Sequence, residues 1–141
     1  MIIFPIKEAV KSLKSEEGYS STCYLCTAGA HTVGHGRNIS EGGVGISKKE
    51  AEYLLKNDIK RVLKECEESF VFWYNLTPNR QRALVEICFQ LGMPALKKFK
   101  KALGAVHAQD YELASREFLN SKWAKQTPAR AKRMAELIKE G

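Results

Sequence analysis

The densest chemistry in the chain lies in residues 16–38, EEGYSSTCYLCTAGAHTVGHGRN. Two kinds of site could be built from it. Cys23, Cys26, His31 and His35 stand in the spacing C-x2-C-x4-H-x3-H, and all four residue types ligate zinc. Strand geometry opposes that reading. In a hairpin, side chains alternate between faces, so Cys23 and Cys26 point apart unless a turn separates them, and Tyr24-Leu25 is strand-like rather than turn-like. The second possibility is glycoside hydrolysis, in which a carboxylic acid protonates the leaving oxygen while an opposed group handles water. Glu17 stands at the end of a helix, just before Gly18. Thr32 stands on the returning strand, followed by Gly34 and Gly36, which let a substrate or another backbone come close. A lone glutamate at a helix end is ordinarily a surface charge; the glycine and threonine pattern around this one argues otherwise.

These residues need elements to hold them. Residues 5–17 are predicted as a helix: Pro5 opens it, Ile6, Ala9, Val10 and Leu13 make one stripe, and Gly18 stops it. Residues 19–46 hold most of the glycines together with many Thr, Ser, Tyr and Val, which is small-sheet and turn chemistry. Ser47 opens a long helix, with Ser47 and Glu50 as a capping box. Ala51, Leu54, Leu55, Ile59, Val62, Leu63 and Cys66 follow at helical spacing. Thr77-Pro78 caps another helix, ended by Gly92. Pro94 is expected to start a short basic helix to Leu103. Asp110 is expected to cap the next, and Thr127-Pro128 to repeat the cap before the last. The expected fold class is α+β in a single domain, 1–141. It comprises a sheet lobe at about 18–46, an inter-lobe helix at about 47–66 and a helical lobe at about 67–141, with the N-terminal helix packing near the latter. A cleft between two lobes is a usual place for a polymer substrate.

The 141 residues carry a net charge of +7 and are 44% hydrophobic, enough for a proper core, so a folded chain is expected rather than a disordered one. No apolar run is long enough for a membrane helix, and MIIFPIKEAV does not read as a secretory signal. A cytosolic product without stable membrane insertion is expected. Residues 1–46 are electrically neutral; all of the +7 falls in residues 47–141, with 19 basic against 12 acidic residues. Such a field suits a polyanion such as nucleic acid, anionic lipid or an acidic wall polymer. Cys66 and Cys88 fall on apolar helix stripes and are expected to pack as small hydrophobes. Packing is also expected of Trp73, Tyr74 and Trp123.

At the EEG segment, with Tyr24, Gly29 and Thr32-Val33-Gly34-x-Gly36, the sequence resembles the phage lysozymes of the T-even type, muramidases of glycoside hydrolase family 24. The resemblance continues through ISKKEAEYLLKNDI, ALVEICFQLG and SKWAKQTPARAKR, in order and over nearly the whole chain. It implies a lysozyme-like fold without a cofactor or metal. The implied activity is cleavage of the β-1,4 bond between N-acetylmuramic acid and N-acetylglucosamine. It gives Glu17 the role of general acid and Thr32 that of positioning water. It puts Cys26 where the family has its catalytic aspartate, and no aspartate precedes Asp58. A thiol has a reference pKa near 8.5 against about 3.9 for aspartate, so Cys26 would have to act as a thiolate. Glu41 is a remote replacement carboxylate. The resemblance further gives Arg130 as partner of Glu17, an Arg37–Asp58 ion pair, and Phe89, Gln90 and Asn38 as substrate contacts. Ala102 and Glu117 depart from the family's other sugar-contact residues.

The implied role is that of an endolysin. It would be monomeric, held in the host cytoplasm until a holin-type pore releases it, and would act on bacterial peptidoglycan rather than on nucleic acid. A lytic transglycosylase, needing one acid and no aspartate, and a catalytically weakened wall-binding homologue are the alternatives.

Overall fold

A computed structural model describes residues 3–141. Two units emerge, divided between Glu52 and Tyr53. The first contains helix α1 (Ile6–Glu17) and strands β1 (Ser20–Leu25), β2 (His31–Gly34) and β3 (Arg37–Asn38), and then the first residues of helix α2 (Lys48–Ser69). Pro5 precedes α1. Gly18 ends it in the left-handed region, at φ 71°, where a side chain would be strained, and its N–H bonds the Lys14 carbonyl. The strands form an antiparallel sheet in the order β1-β2-β3, with Tyr24 opposite Thr32 and Thr32 opposite Asn38. The β1–β2 register is interrupted between Ser20 and Tyr24. Helix α1 falls in the unit that contains the sheet.

The second unit is helical. It takes in the rest of α2, a 3-10 turn (Trp73–Asn75), and helices α3 (Pro78–Leu91), α4 (Met93–Leu96), α5 (Lys100–His107), α6 (Tyr111–Leu119), α7 (Lys122–Gln126) and α8 (Pro128–Glu140). Its core runs from Val62 to Ile138 and includes Trp73, Leu84, Ile87, Leu96 and Phe118. Phe99, Phe118 and Trp123 meet as tilted and edge-to-face rings with centroids 5.4 to 6.4 Å apart. Arg80 joins three helices. Its guanidinium donates to the Ile138 and Lys139 carbonyls at the end of α8 and lies 3.5 Å from the Tyr111 ring centre.

Several expectations are corrected. The basic helix from Pro94 to Leu103 is two helices, because the chain breaks at Lys97–Phe99 before α5 begins. Thr127 does not cap α8; its hydroxyl turns back and donates to the Trp123 carbonyl at the end of α7. Of the α2 stripe only Val62 and Cys66 are buried, while Leu54, Leu55 and Ile59 stay exposed. Tyr74 is exposed on the surface, whereas Trp73 and Trp123 are buried. Among the described residues, no helix is long and apolar enough to cross a membrane.

Candidate active site

Glu17 is the last residue of α1. Its carboxylate lies over Gly36: a Cβ at that position would come within 2.8 Å of Oε2. Gly36 also has φ +80°, so both its backbone and its missing side chain are needed there.

Cys26 follows β1 and opens a tight turn closed by the Gly29 N–H on the Cys26 carbonyl. Hydrogen bonding from the Ala30 and Ala28 backbone, opposed by some desolvation and helped by the Thr32 hydroxyl, holds the thiol below its ordinary range. Thr32 is 4% exposed, the sole buried residue among those described in the first unit. Its hydroxyl donates to the Ala30 carbonyl at 2.9 Å and is within reach of Cys26. A hydroxyl has one proton, so it serves the carbonyl or the sulfur at a given moment. Ionisation of Cys26 draws that proton toward the sulfur.

Arg37 pairs with Glu50. Its guanidinium is bidentate on Glu50, with Nη1 3.0 Å from Oε1 and Nη2 2.9 Å from Oε2, and Nη1 also donates to the Gly45 carbonyl. On α2 itself, Asp58 lies 3.7 Å from Arg61. The reason for the Arg37–Glu50 pair is local. Glu50 is the capping-box acid of α2, accepting from the Ser47 N–H, and the capping geometry holds its carboxylate still for Arg37. Arg37 first, then the Ser47 groups, depress the Glu50 carboxyl to about 2. The Ser-x-x-Glu signature marked this acid as a cap; nothing marked it as an ion-pair partner.

Asn38 is committed to its loop: its side-chain oxygen accepts from the Ser40 N–H at 2.9 Å. Glu41 is an exposed loop residue. The four zinc-type residues are not brought together. Cys23 Sγ and His31 Nδ1 are 3.6 Å apart, while His35 Nδ1 bonds the Gly18 carbonyl and Cys26 turns to its own loop. Among the described residues, no group of three metal-type side chains could hold an ion.

In the helical unit, Phe89 is partly exposed and lines an apolar cavity of about 370 Å³ with Leu55, Ile59, Val85 and Arg130. Gln90 Oε1 accepts from the Trp123 indole N–H at 2.9 Å, which fixes one end of that amide. Cys66 and Cys88 are free and buried, and burial pushes both thiols up.

Residues 14–139 match the sequence model of the phage lysozyme family. The chain is 30% identical to "Probable T4-type lysozyme 2" of Dictyostelium discoideum and 27% identical to "Probable T4-type lysozyme 1" of the same organism, with 92% of each chain covered. It is 32% identical, over 75% of its length, to 19% of "Pre-baseplate central spike protein Gp5" of Enterobacteria phage T4. The chain belongs to the phage lysozyme family, with that family's α+β fold. It is a lysozyme, an enzyme that hydrolyses peptidoglycan.

Proposed function

We propose that the enzyme cleaves the β-1,4 bond between N-acetylmuramic acid and N-acetylglucosamine, with Glu17 as general acid and Cys26 as the group on the water side. Glu17 delivers its proton to the leaving oxygen. The Cys26 thiolate takes a proton from the attacking water, or supports positive charge on the sugar, and Thr32 holds that water. The observation that carries this reading is the Glu17 carboxylate seated over Gly36, on the same unit as the buried Thr32; backbone and Thr32 hydrogen bonding that lowers the Cys26 thiol supports it. Arg130 as a supporting residue and Phe89 and Gln90 as glycan-binding residues rest on the family resemblance alone. In a phage the activity would serve host lysis. The monomer would wait in the host cytoplasm for a holin-type pore.

The test compares lysis of outer-membrane-permeabilised cells by the chain, by Glu17→Gln and by Cys26→Asp. Glu17→Gln should lose about 10²- to 10⁴-fold. Cys26→Asp should keep activity and lose the rise toward alkaline pH that a titrating thiol gives. That rise should fall below the ordinary thiol range near 8.5, since the folded environment favours the thiolate. Iodoacetamide should abolish lysis in a Cys23→Ser background. Full lysis after alkylation of Cys26 would refute its role. Anhydro-muramyl ends in the digest would mark transglycosylation, and wall binding without clearing would mark a weakened homologue.

A further inference from the structure

His35 is a zinc-type residue outside any metal cluster among the described residues, and hydrolysis gives it no task. Yet it makes a contact beside the general acid. His35 Nδ1 lies 2.5 Å from the Gly18 carbonyl, 17 residues away in sequence. Gly18 is the residue that follows Glu17 and ends α1. A carbonyl oxygen only accepts, so Nδ1 carries the proton and donates. The Tyr19 ring lies against the imidazole, with centroids 5.5 Å apart. The neighbouring residue Gly36 forms the surface over which the Glu17 carboxylate lies. One turn, Gly34–Arg37, thus meets both the backbone and the carboxylate at the end of α1.

The end of α1 has need of such a hold. The helix has no buried residue to fix it by packing, and its last peptide turns through a left-handed glycine that resists little. Without a second anchor, the carboxylate would shift with that peptide.

Building on the assignment of Glu17 as general acid, we propose that His35 is a positioning residue: its Nδ1–H bond to the Gly18 carbonyl fixes the end of α1 so that the Glu17 carboxylate is held over Gly36. The hydrogen bond acts on the proton donor's place, not on substrate binding. Its loss lowers kcat and leaves KM nearly unchanged. Asn at position 35 restores it, because the Asn amide nitrogen branches from the same γ-carbon as Nδ1. Gln does not, because its amide stands one carbon further out.

The experiment measures kcat and KM on soluble peptidoglycan fragments for the parent chain, His35→Ala, His35→Asn and His35→Gln, with a thermal melt of each. His35→Ala and His35→Gln should lose about 10- to 100-fold in kcat with KM within about twofold, and His35→Asn should recover most of it. Full kcat in His35→Ala, or equal loss in the Asn and Gln variants, would overturn the proposal. Loss tracking the melting temperature across the variants would overturn it as well. A Glu17→Gln background separates the two assignments. If Glu17→Gln remains fully active, the general-acid assignment fails and takes this one with it. If Glu17→Gln is inactive and His35→Ala is fully active, the positioning role alone fails. If both hold, adding His35→Ala to Glu17→Gln costs nothing further.

Discussion

The two units solve the same problem by different means. From Val62 to Ile138 the helical unit buries two dozen apolar side chains, with Phe70, Phe72, Trp73, Phe118 and Trp123 among them. The unit containing Glu17, Cys26 and Thr32 buries only Thr32 among its described residues. Its order comes from hydrogen bonds: the Cys26–Gly29 turn, the Asn38 side chain on Ser40, Arg37 on Glu50, and His35 on Gly18. A core resists displacement from all directions but places no atom for chemistry. Directed bonds aim individual groups and contribute only about 1 kcal/mol each. Groups that must be aimed are found in the second kind of unit, and its stability is correspondingly thin.

That contrast can be broken by substitution. The largest effect is expected in the core. Phe118→Ala, at a fully buried ring touching Phe99 and Trp123, should cost about 3–5 kcal/mol in a denaturant melt. A cost below about 1 kcal/mol would mean that the helical unit is not held by its core. Gly36→Ala should do the reverse. It pushes the Glu17 carboxylate aside and strains a left-handed backbone position, so activity should fall about tenfold or more against about 1 kcal/mol of stability. Unchanged turnover in Gly36→Ala would show that the turn does not govern the acid. The smallest effect is electrostatic. The folded Glu50 carboxyl is depressed to about 2, against about 4.3 in an unfolded chain. Its contribution is therefore complete above about 4.3 and is lost as pH falls through about 2. Glu50→Gln should remove that part of the acid dependence, seen as a flatter difference between the two melts across the window. Because both partners are only half-buried, the effect should be small and weaker at high salt.

The helices were largely legible from sequence because periodicity and caps are local. The Thr77 cap on Arg80, the Asp110 cap on Leu113 and the Ser47–Glu50 box are all formed. Thr127 misled because a hydroxyl beside a proline can face either helix, and here the carbonyl of Trp123 attracted it. The apolar spacing of Leu54, Leu55 and Ile59 gave the helix and not the burial, since periodicity says which residues share a face and not what covers that face. In the first unit, the place of Glu17 at a helix end and of Thr32 on β2 could be read directly. The partners of Arg37 and His35 could not, because a contact 13 or 17 residues away depends on how the turns close.

The four cysteines divide along the same line, which gives the molecule a built-in chemical clock. Cys23 and Cys26 meet solvent, whereas Cys66 and Cys88 lie in the core with thiols that burial keeps protonated. A thiol reagent added to native enzyme should therefore consume two equivalents at once and two more only as fast as the helical unit opens. Each batch would report its own opening rate without an added dye, and Cys26 can carry a probe at the proposed catalytic position once Cys23 is replaced.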